Sequence, residues 1–471
     1  MVLGLLGTVV SARHLSAEVF GGFILLQVIA SFLTQVSSTG LGVSTAKFIA
    51  STQNERYQRQ LVNTAIGFRL LAVLVVSLVT VIAMPVFWTA FGSPVIPSVA
   101  VFLPLLFYLE SLGSLLRSVL QGFFLFKRIA MTEFIASLSN FLLVAVFVLL
   151  LDRGVLGLIY ARAISLSLSC AIAYFSTPTR KRFEFHLGLL KEMLAFGLPL
   201  QINDILSFVF GRIDTLVIGT LLGRADIAYY EIARRIPDAL ARLYEAFRSV
   251  FFPEMSRLFA VGEHKKAEQV LNHSTRLISF VSTLGALVAL ILGNDVIGLL
   301  FSAKYVPSVP AFILLMTALS ISLIGNTLGT SLVAIGDSSK PAIINIVHTG
   351  VSLLGNLFLI PILGIVGSAL SSLAGSCATN PLNVLFLRRR NVDVRVGDYL
   401  KPILVFGLYV LLVLLLKPTT VLQKALVIST FILLCACLSV ITGEDLAVIL
   451  GKSRSRTPKS VRDPCSGSPR L

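Results

Sequence analysis

The chain has 471 residues, of which 56% are hydrophobic and 13% charged; its mean hydropathy is +0.90 and its formal net charge is +16. A water-soluble fold of this length could not bury so much apolar surface, so a soluble globular protein is excluded. Apolar stretches of about 20 residues recur along nearly the whole chain and are continuous rather than alternating, which predicts a polytopic all-α membrane protein. The five cysteines show no spacing typical of a metal site or a disulfide framework, and no cofactor is expected.

In chain order, the apolar stretches predict fourteen membrane spans. These are 1–12, 20–41, 62–88, 98–124, 133–151, 155–175, 193–221, 227–252, 277–301, 308–335, 341–361, 364–386, 402–416 and 425–442. The first stretch covers only about half of a membrane thickness, which favours a truncated first span.

Lysine and arginine are distributed unequally between the two sets of loops that these spans create. One set, together with the C-terminal tail, holds 25 of the 39 cations, and the opposite set holds 6. Because cytoplasmic loops of membrane proteins carry such an excess, both termini are predicted to be cytoplasmic. The positive charge is therefore interpreted as an orientation signal and a contact for anionic membrane lipids, and no nucleic-acid partner is expected.

Three short segments recur in order at offsets of 207 to 210 residues. LSAEVFGGF (15–23) matches LGRADIAYY (222–230), QLVNTAIGF (60–68) matches QVLNHSTRL (269–277), and RGVLGL (153–158) matches LGIVGS (363–368). The repeat unit is six spans, so both copies have the same orientation, as in transporters with a central site. It predicts an N-terminal lobe at 1–190, a C-terminal lobe at 191–387, two additional spans at 388–445 and a basic, disordered cytoplasmic tail at 446–471.

Span 8 contains an unusual concentration of charge, seven residues in YYEIARRIPDALARLYEAFRS (229–249). At helical spacing they form one stripe: Glu231, Arg234, Arg235, Asp238, Arg242, Glu245 and Arg248. A helix lying on the membrane surface is the alternative, but omitting this span would invert every later loop and destroy the charge asymmetry. Since charge at membrane depth is kept where it faces protein or water, the stripe is predicted to line a water-filled interior.

Span 2 carries polar residues at the positions equivalent to this stripe. An offset of 207 places Gln27, Ser31, Gln35 and Ser38 over Arg234, Asp238, Arg242 and Glu245. Both faces are therefore predicted to line one central cavity. Glutamine and serine suit hydroxyl-rich ligands and arginine suits phosphate, so a sugar linked to a lipid diphosphate would use both. Arg235 and Arg242 are the main candidates for ligand contact, with purely structural ion pairs as the open alternative.

Other spans hold further candidates. In span 7, Asp204 and Asp214 are candidates for binding a coupling cation or proton, although an ion pair with Arg212 or with an arginine of span 8 is favoured. Arg212 itself joins the predicted substrate-binding residues. In span 4, Arg117 shares a face with Glu110, which predicts a contact between them in the cavity wall. Two sets of polar residues are interpreted as structural: Arg69 and Arg162 as snorkelling side chains, and Asn345, His348 and Asn356 as interhelical hydrogen bonders.

Three segments carry a family resemblance: ARHLSAEVFGGFIL (12–25), LQGFFLFKR (120–128) and RIDTLVIGTLLGRADIAYYEIARRI (212–236). They resemble parts of the Wzx-type oligosaccharide flippases of polysaccharide biosynthesis, in the larger multidrug/oligosaccharidyl-lipid/polysaccharide exporter group. The third segment matches that pattern through Asp214, Leu222, Gly223, Tyr230, Ala233, Arg234 or Arg235, and Ile236. Departures are Ser16-Ala17 where Gly-Pro is common, and Ala228 where glycine is common.

This resemblance implies two six-helix lobes in a V around a central cavity, with alternating access between leaflets. It implies a transporter, not an enzyme, in the inner membrane of a prokaryote. The implied cargo is an undecaprenyl- or dolichyl-diphosphate-linked oligosaccharide, held by cavity arginines and moved from the cytoplasmic to the outer leaflet. A glycan polymerase or glycosyltransferase complex is the implied partner.

Two alternatives remain open. A cation-coupled exporter of the multidrug and toxin extrusion type would share the fold, but it would favour an acidic or aromatic cavity, whereas the stripe is rich in arginine. A membrane-embedded glycan polymerase or glycosyltransferase would need a large outward loop or a carboxylate motif. No predicted outward loop exceeds roughly 15 residues, which argues against this enzyme.

Overall fold

A computed structural model describes residues 2–91, 102–179, 184–337 and 339–438. Within these ranges the chain is helical and has no β-strand. The tail predicted at 446–471 lies outside the described residues, as do the first residues of predicted span 4 and the last residues of span 14.

The described ranges contain fifteen α-helices. They are α1 (Val2–His14), α2 (Ala17–Ser38), α3 (Leu41–Ala50), α4 (Glu55–Phe91), α5 (Leu103–Gly122), α6 (Phe126–Val144), α7 (Gly154–Ser176), α8 (Leu187–Leu221), α9 (Arg224–Ala260), α10 (His264–Phe301), α11 (Val309–Ala334), α12 (Ser339–Leu363), α13 (Ile365–Arg389), α14 (Val396–Leu416) and α15 (Val421–Cys437). A π-helical turn at Ala145–Leu150 continues α6, and a 3₁₀ helix at Ala303–Ser308 precedes α11.

The prediction of an all-α, multi-pass membrane protein is confirmed. Among the described residues, nine helices are long and apolar enough to cross a membrane, or ten if Leu187–Leu206 and Gly211–Leu221, which meet at a bend of 50° in α8, form one span. Each of the fourteen predicted spans corresponds to one helix, with α3 as an addition. Helix α9 is not among the nine, because its charges lower its hydropathy. The count of fourteen therefore stays a prediction.

Helix α2 ends earlier than the predicted span 20–41. Thr39 and Gly40 both have positive φ angles, 49° and 71°, which end the right-handed helix. Gly40 also lies against the backbone of Gly197 in α8, where a Cβ on either glycine would overlap the other residue. Glycine meets both demands, since it has no Cβ and adopts the left-handed region freely. The chain then resumes as the short helix α3.

The first half of the chain (α1–α7) and the second half (α9–α15) have separate hydrophobic cores at one end of the molecule. This end, called the basic end here, carries basic residues in the terminal turns of helices, including Lys47, Lys127 and Lys265. There one core forms within the first half and the beginning of α8, around Leu61, and another forms within the second half, around Leu271. At the opposite end the halves share one core, which joins α2, α7, α9, α10 and α14. The halves are therefore joined at one end and separate at the other.

At the opposite end, cations of each half bind helix-end carbonyls of the other half. Arg13, at the end of α1, donates from Nε to the carbonyl of Leu300 at 2.9 Å and also bonds the carbonyl of Leu299. Lys304 donates back to the carbonyls of Arg13 and Leu15 at 2.9 and 2.6 Å. A cation at a helix C-terminus is favourable because the carbonyls there carry partial negative charge. This reciprocal contact, called the clasp here, ties the two halves together.

Helix α8 contacts both halves. Its buried Gln201 donates to the carbonyl of Gln35 at 2.6 Å and accepts from the backbone nitrogen of Gly40 at 2.9 Å, so its beginning packs on the first half. Later in the helix, Asp214 pairs with Arg234 of α9. The lobe boundary at 190 and the other predicted domain limits stay predictions.

We expect Gly197→Ala to destabilise the protein by on the order of 1–3 kcal/mol, because overpacking a close helix contact forces the backbone apart. A Cβ there would lie 2.6 Å from the carbonyl oxygen of Gly40. The matched control is Gly188→Ala in the same helix, where a Cβ meets no atom within 4 Å. Thermal unfolding in detergent micelles measures the difference. Equal melting temperatures for the two variants would contradict the proposed close contact.

Candidate functional site

The charged stripe predicted for span 8 lies on α9. This helix has 37 residues and is about 55 Å long at 1.5 Å per residue, which exceeds the ~30 Å hydrocarbon layer. Ion pairs with α8 and within α9 neutralise much of the stripe. These pairs decide which charges remain available to a ligand.

Arg234 belongs to a structural ion-pair cluster. Its Nη1 lies 3.2 Å from Oδ2 of Asp214, and its Nε lies 3.3 Å from Oδ2 of Asp238, one helical turn along α9. The Arg234 side chain is only 18% exposed. Asp214 thus forms an ion pair with an arginine of α9. The sequence favoured this interpretation over a role in ion coupling. The substrate-binding roles predicted for Arg234 and Asp238 remain predictions, and neither residue lines the cavity described next.

Glu231 forms a second cluster, in which one carboxylate serves two arginines. Its Oε1 lies 3.0 Å from Arg235 and its Oε2 lies 3.6 Å from Arg212 of α8, while its side chain is only 6% exposed. Two guanidinium groups share one carboxylate, so this cluster has a net charge of +1. Arg235 also has a buried Nε without a hydrogen-bond partner.

A cavity of about 410 Å³ lies between the first half and the α8–α9 wall. This first cavity is lined by α1, α2, α5, α6, α7, α8 and α9. Its amide and charged lining residues are Gln27, Glu110, Asn140, Arg162, Arg212, Glu231, Arg235 and Arg242. Four arginines against two glutamates give this wall a formal net charge of +2, which favours an anionic ligand.

Arg242 differs from the other arginines of this cavity. Its side chain is exposed and makes no hydrogen bond or ion pair with any residue that the structure describes. Its guanidinium therefore offers five N–H donors in a planar fork. Such a group can bind two phosphate oxygens at once.

Helix α2 supplies the neutral part of the first cavity. Gln27 and Ser31 both line it, and Ser31 donates to Oε2 of Glu110 at 3.3 Å. Helix α2 packs directly on α9, with Gly21 so close that a Cβ would overlap the carbonyl of Arg224. The repeat-related helices are therefore neighbours. Gln35 lies instead at the α2–α8 contact and is not among the lining residues.

Arg117 lies away from the first cavity. It pairs with Glu133 at 3.1 Å, and both side chains are more than half exposed. The predicted contact between Glu110 and Arg117 is wrong, because residues two helical turns apart on one helix lie too far from each other for a direct bond. Helix α7 supplies the partner of Glu110 instead: Arg162 donates to Oε1 at 2.8 Å.

The two arginines interpreted as snorkelling are both held inside the protein. Arg162 lines the first cavity. Arg69 is only 1% exposed and donates to Oγ of Ser111 at 3.2 Å. The snorkelling interpretation is therefore wrong for both residues, because Arg69 is buried against α5 and Arg162 pairs with Glu110 on the wall of the first cavity.

A second, larger cavity of about 700 Å³ lies in the second half, between α9, α11, α12 and α13. Glu245 and Arg248 line it and pair with each other at 3.1 Å, so Glu245 does not line the first cavity. This cavity was not predicted from the sequence. Asn345 was interpreted as an interhelical hydrogen bonder, but its side chain is exposed on the cavity wall and makes no hydrogen bond with a described residue.

Among the described residues, no group of three histidine, cysteine, aspartate or glutamate side chains is placed to hold a metal ion. Asp204 is exposed and has no ion pair with a described residue, unlike Asp214. The coupling roles of both aspartates stay predictions.

Comparisons with known proteins identify a matching family and relatives of similar fold. Residues 10–310 match the model of a family described as polysaccharide biosynthesis protein. A probable low-salt glycan biosynthesis flippase, Agl15, of Haloferax volcanii is 22% identical over 393 residues, covering 82% of this chain and 80% of the relative.

Two solved structures show a similar fold. The lipid II flippase MurJ, in an inward closed conformation, is 16% identical with a TM-score of 0.71, covering 93% of this chain and 97% of that chain. An inward-facing multidrug resistance transporter of the MATE family, in the MOP superfamily, is 18% identical with a TM-score of 0.66, covering 82% and 94%. At these identities the structures are evidence for the fold alone.

We expect Asp214→Ala to destabilise the protein by on the order of 3 kcal/mol, because it leaves the mostly buried Arg234 without its carboxylate on α8. The control Glu133→Ala removes an exposed pair and should cost less than about 1 kcal/mol. Titration with sodium dodecyl sulfate in mixed micelles measures both. The double variant Asp214→Leu/Arg234→Met should recover most of the loss, since it leaves no buried unpaired charge; Asp238 also loses Arg234, but its side chain is 43% exposed. A double variant no more stable than Asp214→Ala would contradict the pairing.

Proposed function

The chain belongs to the polysaccharide biosynthesis protein family, and on this basis we propose that it flips a polyprenyl-diphosphate-linked oligosaccharide across a membrane by alternating access. The observation that carries the proposal is the free guanidinium of Arg242 in a cavity whose wall has a net positive charge. The similarity to a probable glycan biosynthesis flippase supports the same class of cargo.

The first cavity suits the diphosphate of such a ligand. Arg242 has free donors, and the cluster of Glu231 with Arg212 and Arg235 keeps an excess positive charge beside it. Arginine binds phosphate through paired N–H groups, and this contact is strong where water is excluded. Gln27 and Ser31 lie on the same cavity and offer hydrogen bonds to the first sugar.

The arrangement of the hydrophobic cores supports alternating access. The halves share a core at one end and have separate cores at the basic end, so the cavities can open to the basic end while the clasp holds the other end closed. The excess of loop cations assigns the basic end to the cytoplasm. The ligand would thus enter from the cytoplasmic leaflet, with both termini on that side of a prokaryotic inner membrane.

A multidrug exporter shares this fold, so the two functions are distinguished by the chemistry of the cavity and not by the fold. Cationic drugs are bound by acidic or aromatic surfaces, and the two glutamates of the first cavity are already paired with arginines. The positive wall would repel such drugs and attract phosphate. The flippase is therefore the function that we infer, and a membrane-embedded polymerase or glycosyltransferase has no supporting observation in the described residues.

We expect Arg242→Ala to slow leaflet transfer at least about tenfold, because it removes charge-assisted hydrogen bonds to the diphosphate. The assay uses liposomes that contain the full chain and a fluorescent polyprenyl-diphosphate-linked oligosaccharide, with quenching from one side to score transfer. Arg117→Ala is the matched control, since Arg117 lies outside the first cavity. Both variants should be inserted at wild-type levels. Unchanged transfer by Arg242→Ala would refute the role of this residue.

Asp204 is the better of the two candidate coupling groups, because Asp214 is committed to Arg234. If a proton or cation gradient drives transfer through Asp204, Asp204→Asn should abolish the gradient-dependent part of the rate and leave the basal rate unchanged. The measurement compares liposomes with a sodium gradient, a proton gradient or neither. A variant that keeps the full response to either gradient would exclude Asp204 from coupling.

A further inference from the structure

The second cavity has a chemistry different from that of the first. Its single charged pair, Glu245 with Arg248, is neutral in sum. The remaining polar groups of its wall are mainly amides and hydroxyls, supplied by α11, α12 and α13. A volume of about 700 Å³ lies within the range of cavities that hold whole ligands. The wall therefore favours an uncharged, hydrogen-bonding ligand over an anion.

Asn383 points to a missing hydrogen-bond partner in this cavity. The residue lines the cavity and is only 3% exposed; its Nδ2 donates to the carbonyl of Thr379 at 3.2 Å, but its buried Oδ1 has no partner. Buried polar atoms are nearly always hydrogen-bonded, so an orphan oxygen on a cavity wall indicates a donor supplied from outside. Gly329 faces this oxygen, and a Cβ there would approach it to 3.2 Å, so a larger residue at this position would crowd it.

Two more amides face the same cavity without partners. Asn326 of α11 and Asn345 of α12 are exposed on its wall, and their side-chain amides make no hydrogen bond with any described residue. An amide side chain both donates and accepts, which matches the hydroxyl groups of a sugar, since each hydroxyl also does both. Three such amides on three different helices can surround a sugar chain.

Helix α9 places the two cavities next to each other. Arg242 lines the first cavity and Glu245 lines the second, and three residues of α-helix correspond to about 4.5 Å along the axis. A diphosphate bound at Arg242 would therefore carry its attached sugars to the entrance of the second cavity. This spacing fits one ligand that is charged at one end and neutral at the other.

We propose that the second cavity binds the uncharged sugars of the lipid-linked oligosaccharide, through Asn326, Asn345 and Asn383, while the first cavity holds the diphosphate. This inference rests on the proposed function and adds a division of the ligand between the two cavities. Recognition of the sugars beyond the first then depends on the second cavity, and recognition of the diphosphate and the first sugar depends on the first cavity.

The test compares two probes with the full chain in nanodiscs. One is undecaprenyl diphosphate, and the other is undecaprenyl diphosphate bearing an uncharged trisaccharide of hexoses. Wild type should bind the second probe more tightly. Asn326→Ala/Asn345→Ala should weaken binding of the sugar-bearing probe about fivefold or more and leave binding of the bare diphosphate unchanged, because it removes only hydrogen bonds to sugar. Neither amide bonds a described residue, so folding should be unaffected.

Arg242→Ala is the crossed control, and it should weaken both probes by the same factor. Equal affinity of wild type for the two probes would overturn the inference, as would a double asparagine variant that weakens both probes or neither. Failure of the proposed function gives a different pattern. If Arg242→Ala leaves both affinities unchanged while the asparagine variant still loses only the sugar-bearing probe, the diphosphate site is refuted and the sugar site stands.

Discussion

The ion pairs between α8 and α9 are the constraint on which the rest of the site depends. The seven charges of the stripe on α9 would be very costly at membrane depth if they were unpaired. Asp214 and Glu231 lower this cost, because each binds arginines across or along the two helices. The free-energy cost of removing two charges from water is offset only when the geometry of the ion pair is good. The pairs therefore also fix how α8 and α9 lie against each other. The position of the cavity wall follows from this pairing.

The pairing leaves a gradient of chemistry along α9. Near the shared core, Glu231 is buried and pairs with two arginines. Further along the helix, the guanidinium of Arg242 has no partner among the described residues. Beyond Arg242, Glu245 and Arg248 neutralise each other. From the shared core toward the basic end, α9 therefore presents a positive region and then a neutral, amide-rich region. This arrangement matches a lipid-linked sugar chain, in which a charged diphosphate is joined to an uncharged glycan. A cationic drug has no such arrangement of charge, so these cavity walls would bind it poorly.

The sequence predicted much of the helix order and the charged face, because both depend on periodicity along one segment. Partners across helices were harder to predict. Glu110 was matched with Arg117 because both lie on one helix, whereas Arg162, 52 residues further along the chain, is its partner. The second cavity was missed because an asparagine that binds a ligand and one that bonds a neighbouring helix have the same sequence signature. The break after α2 depends on positive φ angles at Thr39 and Gly40, and a threonine gives little indication of such a conformation.

The clasp and the cavities require different strengths of contact between the same two halves. Transport requires that the opposite end can open, so the contacts there must be specific but weak. Cation–carbonyl bonds at exposed helix ends, such as those of Arg13 and Lys304, meet this demand, because water replaces them at small cost. The buried pairs of Asp214 and Glu231 cannot be replaced so easily, and they should persist in both conformations. Helix α9 would then move as a unit with α8, and closure of the basic end would bring the two separate cores together around a ligand held on α9.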